Sequence, residues 1–175
     1  MTDLRGKRAL VTGGTSGIGR GIVERLTADG ATVVFTGRDG RRGADVASAT
    51  GATFLRADAS DVSFPARSFD AVVSLYMFIH LPMDEQAPLI GRIAQWLRPG
   101  GILLVTTGHT AWTGTDPDWL GGGAPMWWSH PDAATYRGWF ANAGLDVVSE
   151  EFVPEGNGGH ALFWCQRRAG RGEGR

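Results

Sequence analysis

The chain has 175 residues, 42% apolar and 20% charged, with a formal net charge of −1. That length holds one domain around one core and is too short for two ordinary ones, and the composition is globular rather than disordered. Near-neutrality offers no general attraction for nucleic acid or an anionic membrane, and neither a leader nor an apolar stretch of about 20 residues is evident, so a soluble cytoplasmic protein is expected.

Strand and helix signals alternate along the chain, the pattern of a parallel sheet covered on both faces. The first strand is predicted at Ala9–Thr12 and the first helix at Ser16–Asp29. In that helix Ile18, Ile22, Val23 and Leu26 recur at three- and four-residue spacing as one apolar stripe, and Gly30 supplies the stop. The second strand, Ala31–Thr36, is a continuous β-branched and aromatic run suited to burial on both faces. A short helix over Arg42–Thr50 leads through Gly51 to a third strand at Thr53–Ala57, and Phe69–Tyr76 makes the fourth. The next helix spans Asp84–Leu97 with Leu89, Ile93, Trp96 and Leu97 as its stripe, closed by Pro99-Gly100-Gly101 before a fifth strand at Ile102–Thr107.

Beyond that point the pattern loosens. Residues 108–130 hold five glycines and four tryptophans without a convincing period, and so read as a long functional or mobile loop. A helix from Ser129 or Pro131 to Ala143 follows, stopped by Gly144. The last two strands, Asp146–Val153 and His160–Gln166, flank PEGNGG, a turn between antiparallel partners. Cys165 is the lone cysteine and sits in an apolar run that would bury it. The tail from residue 169 to 175 has nothing apolar to bury and is expected to be disordered.

The segment Thr12–Gly19, TGGTSGIG, joins the first strand to the first helix. Gly13 permits a tight turn, Gly17 lets backbone approach a diphosphate, and Gly19 lets the helix pack closely on the sheet. The helix start favours negative charge. Gly13, Thr15, Ser16, Gly17, Ile18 and Gly19 are therefore candidate nucleotide contacts, a merely structural turn being the alternative. Over residues 5–61 the sequence GKRALVTGGTSGIGRGIVERLTADGATVVFTGRD resembles the short-chain dehydrogenase/reductases. The resemblance implies NADP, because Gly37-Arg38 stands where NAD enzymes have a ribose-binding acid, and it places Asp58 at the adenine amino group. Arg38 as an ordinary solvated loop residue is the alternative. That family's N-A-G segment is missing, and so is its Tyr-x-x-x-Lys pair: Tyr136 is followed by Arg-Gly-Trp-Phe, and Lys7 is the only lysine. The usual proton donor for hydride transfer is thus missing.

From about Ala57 to residue 168 the chain instead resembles class I S-adenosylmethionine-dependent methyltransferases acting on small molecules. The resemblance is carried by ADASDVSFPARSFDAVVS, the histidine of FIHL, WLRPGGILLV and the closing stretch from Trp127 to Trp164. It implies one doubly wound, Rossmann-like α/β domain over residues 1–168, with a reductase-like half (1–60) and a methyltransferase-like half (61–168). The implied sheet has seven strands, mostly parallel, in the order 3-2-1-4-5-7-6 with strand 7 antiparallel. S-adenosylmethionine becomes the first cofactor and NADP the alternative, with Asp58 and Ala59 beside the adenine. The acid that usually opens the first strand's turn and the acid after the second strand are both replaced here, and the covering N-terminal helices are missing, so impaired donor binding is expected.

His80, after the fourth strand, is the candidate general base, with hydrogen bonding to the loop as the alternative. Trp128, His130, Tyr136 and His160, with Glu155, are candidates to line the acceptor pocket, and Trp119 and Trp127 to extend its apolar wall. The histidines are far apart in sequence and no ligand spacing suggests a metal. Three readings stay open: a methyltransferase-like enzyme, an NADP-dependent oxidoreductase, and an inert nucleotide-binding domain.

Overall fold

A computed structural model describes residues 3–118, 121–123, 125–156 and 158–169. Its elements in chain order are β1 (Arg8–Val11), α1 (Gly17–Ala28), β2 (Thr32–Gly37), α2 (Gly40–Thr50), β3 (Thr53–Arg56), β4 (Phe69–Ser74), a 3₁₀ turn (Phe78–His80), α3 (Met83–Trp96), β5 (Leu97–Gly108), β6 (Trp112–Asp116), β7 (Met126–His130), α4 (Ala133–Asn142), β8 (Leu145–Glu155) and β9 (Gly158–Arg167). Seven of the strands form one sheet in the order β3-β2-β1-β4-β5-β9-β8. The pairings from β3 through β5 are parallel, and β9 is antiparallel to both its neighbours. With the separate β6-β7 hairpin set aside, β8 and β9 are the sixth and seventh strands, and the order is the one implied by the methyltransferase resemblance.

Alternation along each strand divides the core between two faces. Leu10 and Val72 face α3 and α4, where Leu89, Ile93, Trp96, Phe140 and Phe163 complete the larger cluster. Val11 and Phe35 face α1 and α2, packing with Val23 and Val46. On this second side the helices lie over β3, β2 and β1, and no helix of the described residues covers the rest of the face. A trough of about 930 Å³ opens there over Ala71, Val73, Ile102 and Leu104, with Ile18 and Trp164 on its lips. The expected stripe of α1 is corrected at one position: Val23 is fully buried, whereas Ile18 is 58% exposed because no described residue covers the trough it borders.

Two further expectations are corrected. The loop read over residues 108–130 contains an antiparallel hairpin in which Trp112 pairs with His130 and Gly114 with Trp128. Its glycines and tryptophans break any period of two, so the pairing has no local signal. The following helix begins at Ala133 rather than Ser129 or Pro131, because Asp132 caps it, its carboxylate accepting the Thr135 N–H at 2.8 Å. Ser129 and His130 therefore end β7. Trp119 and tail residues 170–175 lie outside the described residues.

Gln86, fully buried on α3, ties these parts together. Its amide N–H groups donate to the Leu81 carbonyl at 2.9 Å and the Ser129 carbonyl at 2.6 Å, and its oxygen accepts from the Tyr136 hydroxyl at 2.5 Å. One side chain thus joins α3, the turn before it, β7 and α4. Tyr136→Phe keeps the ring but leaves the Gln86 oxygen buried without its donor, and is expected to lower stability by roughly 1–3 kcal/mol. Urea unfolding measures this: the midpoint should fall with the slope unchanged, and an unmoved midpoint would remove the role given to this bond.

Candidate active site at the carboxyl edge of the sheet

The glycine turn leaves β1 at the sheet's carboxyl edge. Gly13 adopts φ +68°, a conformation that favours glycine. A Cβ added at Gly19 would lie 2.2 Å from the Gly13 carbonyl oxygen, so the first turn of α1 rests directly on the loop backbone. Ser16 precedes α1 without a side-chain capping bond, which leaves the helix-start N–H groups facing the edge. The Gly14 N–H donates to the Thr36 carbonyl at 3.0 Å, and Thr15 folds over Gly37, its methyl 2.4 Å from where a Cβ would stand. Turn and β2 end are therefore in direct contact.

Next along the edge, Thr36, Thr12 and Ser74 continue the register in which Val11 pairs with Phe35 and Val73. The Thr12 hydroxyl donates to Ser74 Oγ at 2.8 Å, while the buried Thr36 hydroxyl has no partner. Arg38 is exposed beyond Gly37. Asp39, the first acid after β2, is engaged elsewhere: it caps α2 by accepting the Arg42 N–H at 3.0 Å. Half-buried Asp58 follows β3 and accepts from the Ser60 N–H and hydroxyl with one oxygen, both at 3.1 Å, and buried Ala59 is its neighbour in the chain. The glycine turn and the Asp58–Ala59 corner fit an adenine nucleoside with a further polar group. The β2 end presents a guanidinium and a threonine methyl, and no carboxylate for ribose hydroxyls.

Beyond β4 the edge opens into a cleft of about 760 Å³ between the β6-β7 hairpin and the β8–β9 ends. Trp112, Trp128, His130, His160, Glu155 and Asp116 line it. The Trp112 and Trp128 rings are 5.3 Å apart and His130 is 6.3 Å from His160, centroid to centroid. His160 Nε2 lies 3.0 Å from a Glu155 oxygen. The imidazole of His130 passes over Gly108 at the end of β5, where a Cβ would come within 2.0 Å of Nδ1. Burial, with the neighbouring His160 and His80, pushes the His130 pKa below its ordinary value, so it is neutral at pH 7. Tyr76, two residues past β4, has φ +57°, a strained conformation for an aromatic residue, and packs edge-on to His160 at 5.3 Å. It thus links the end of β4 to the cleft's His160.

Of the residues singled out in the sequence, His130, His160, Glu155 and Trp128 meet in this cleft. His80 is adjacent rather than lining it: its Nδ1 is 2.8 Å from the Trp127 carbonyl, and its ring is 5.8 Å from Trp128. Trp127 contributes that carbonyl and turns its side chain outward, 40% exposed. Tyr136 is corrected. It is wholly buried, bonded to Gln86 and not among the cleft's lining residues, with burial raising its pKa, and so it does not face the cleft. Tyr76, Trp112 and Asp116 were not singled out as site residues. Only the position of Tyr76 at the end of the fourth strand, beside the first, could have marked it.

The larger trough over Ala71 and Leu104 shares no lining residue with this cleft. Among the described residues no cluster of three or more His, Cys, Asp or Glu could hold a metal, and no helix is long and apolar enough to cross a membrane. Buried Cys165 has its thiol pushed up to about 12 by burial and is no nucleophile.

Residues 16–105, just over half of the chain, match the family described as Methyltransferase domain. The match begins inside the glycine turn and crosses α1 to β3, the segment that also resembles reductases. Among curated proteins, the NADP-dependent (R)-specific alcohol dehydrogenase of Lentilactobacillus kefiri is 45% identical over 75 residues, which are 40% of this chain and 30% of that protein. The chain spans less than a third of the length of the first curated relatives it matches. Among solved structures, an S-adenosylmethionine-dependent methyltransferase of Mesorhizobium loti superposes with a TM-score of 0.75 at 19% identity, over 95% of this chain and 94% of that one. The 1,6-didemethyltoxoflavin-N1-methyltransferase of Burkholderia thailandensis, solved with its namesake ligand and S-adenosylhomocysteine, gives 0.72 at 15% identity over 94% of this chain and 72% of that one.

Two outcomes are expected of the site. Gly19→Ala forces the turn apart and should weaken binding of S-adenosylhomocysteine or NADPH by roughly tenfold or more, about 1.4 kcal/mol. Gly21→Ala, with nothing within 4 Å of its added Cβ, should leave both unchanged in the same calorimetric titration. The second concerns pH. His130 has a lowered folded pKa, so the unfolded chain binds its proton first; its contribution to stability is complete above about pH 6.5 and is lost as pH falls towards the folded value. Thermal midpoints of wild type and His130→Gln should converge below pH 6.5, and parallel curves would contradict this.

Proposed function

The chain belongs to the methyltransferase-domain family, and from that premise we propose that it is a class I S-adenosylmethionine-dependent methyltransferase acting on a small molecule. The family match through residues 16–105 carries the reading, because it contains the second half of the glycine turn, the Asp58–Ala59 corner and the β4 end at which Tyr76 stands.

In this reading the donor supplies a methyl group on a positively charged sulfur, already activated for transfer. The chain's residues then have mainly to position and to exclude water. The free oxygen of Asp58 and the backbone of Ala59 hold the adenine edge, and Gly13, Thr15, Ser16, Gly17, Ile18 and Gly19 hold the centre of the donor through backbone groups. Tyr76 links this edge to the cleft; burial, then the Glu155 carboxylate, raise its pKa and keep its hydroxyl protonated. Trp112 and Trp128 form one aromatic wall against which the acceptor packs, and the Glu155–His160 pair takes the acceptor's proton. His80 is assigned a positioning role: its Nδ1–H donates to the Trp127 carbonyl and so fixes β7 behind the Trp128 wall. Thr15 over Gly37, with no acid at the β2 end, makes donor binding weak.

A second reading is supported by the reductase-like relatives and by Arg38, exposed at the corner where a 2′-phosphate would sit. It makes the first sixty residues an NADP-binding half joined to a methyltransferase-like remainder. Hydride transfer on this site lacks the tyrosine–lysine proton donor, so the second reading is one of binding. Calorimetric titration with S-adenosylmethionine, S-adenosylhomocysteine and NADPH, each alone, decides. The sulfur ligands should bind; tight NADPH binding with neither sulfur ligand bound would overturn the proposal. Arg38→Asp should leave or improve S-adenosylhomocysteine affinity and cut any NADPH affinity by roughly tenfold or more, since a charge-assisted bond is lost.

A further inference from the structure

The acceptor cleft has a chemical character of its own, and the following rests on reading it as the acceptor site. Its walls are aromatic: Trp112 and Trp128 at 5.3 Å, Trp112 and His130 at 6.4 Å, with Tyr76 edge-on to His160 behind them. Flat rings offer two things to a ligand, apolar area and negatively charged faces. Both favour a planar molecule, and the second favours a positive charge on it.

The charges on the rim point the same way. Asp116 and Glu155 are lining residues, and none of the described lining residues is lysine or arginine. Glu155 is balanced only if His160 is protonated. Asp116 accepts the Asp118 N–H at 2.9 Å with one oxygen and has no ion pair among the described residues, so its charge is unbalanced whatever His160 does. His130 lines the same space, is only 6% exposed, and has a buried Nδ1 without a hydrogen-bond partner. A chain with a net charge of only −1 has thus concentrated acid and aromatic surface at one place, with a buried polar group left without a partner there.

We infer that the cleft selects a flat, cationic amine, an aromatic ring system carrying a protonated nitrogen, and discriminates against carboxylate and phosphate acceptors of the same shape. The ring packs against the wall that Trp112 and Trp128 form together, and the nitrogen lies towards Asp116 and Glu155. Before such a nitrogen can attack a methyl carbon it must give up its proton, and the Glu155–His160 pair lies where that proton can go; the nitrogen lone pair then forms the N–C bond as the C–S bond breaks and its electrons return to sulfur.

The test uses three ligands of one shape and different charge, tryptamine, tryptophol and indole-3-propionate, titrated calorimetrically into the whole protein at low salt without donor. Tryptamine should bind most tightly and indole-3-propionate least, with a gap of roughly tenfold or more that narrows as salt is added. Asp116→Asn and Glu155→Gln should each shrink the gap while keeping the tryptophol affinity, and Trp112→Ala should weaken all three ligands alike. Equal affinities, a preference for the propionate, or no binding of any of the three would overturn the inference. Because no donor is present, the result is independent of the methyltransferase proposal. Tryptamine selectivity in a protein that ignores S-adenosylhomocysteine would sink only the donor assignment. Donor binding without charge selectivity would sink only this inference.

Discussion

The site hangs on one buried amide. Gln86 reaches from α3 to the Ser129 carbonyl on β7 and to the Tyr136 hydroxyl on α4, and also back to the Leu81 carbonyl. A wholly buried side-chain amide is tolerable only when its donors and acceptor are met, and here three separate elements meet them. The hairpin that carries Trp112, Trp128 and His130 is not part of the main sheet, so it has no shared backbone ladder to hold it there. It is fixed instead by the Gln86 bond, by the His80 bond to the Trp127 carbonyl, and by the passage of His130 over Gly108.

The rest of the architecture follows from the parallel strands. Their carboxyl ends gather the glycine turn, Asp58 and Tyr76 at one edge, and the antiparallel β9 brings His160 to the same edge from the other direction. The glycine turn, the Asp58 corner and the aromatic cleft are therefore neighbours because of strand direction, at the carboxyl ends where open α/β sheets generally place ligands. At the other extreme, the trough beside Ile18 and Trp164 shows what happens where the sheet outruns its helices: apolar side chains suited to a buried face lie open.

The two families legible in the chain do not compete at the level of fold. Both set a glycine turn after the first strand and an acidic turn after the third, and the sheet continues through residues 57–61 without a break in its order. They differ at the β2 end, where local chemistry is decided by a few atoms. Asp39 is turned into a helix cap, Thr15 covers Gly37, and Arg38 extends outward. A shared fold can accept either ancestry there; a bound ribose cannot.

Much of this was legible in the residues themselves. The burial of Cys165 and Val23 and the terminal antiparallel pair follow from apolar runs, a period of 3.6 and a glycine-rich turn, which are local signals, and the strand order was implied by the methyltransferase resemblance. The sequence also placed His130, His160, Glu155 and Trp128 among the candidates. It misassigned Tyr136, whose hydroxyl meets Gln86 fifty residues away, and it passed over Trp112 and Asp116, which enter the cleft only because a hairpin without a period of its own is pinned from outside. Ile18 read as part of a buried stripe because periodicity reports which side chains share a face and not whether anything covers that face. Local patterns determined the elements, and the family resemblance implied their order; contacts between residues distant in sequence decided which side chains share the cleft, because those contacts depend on packing across elements that no single stretch of chain contains.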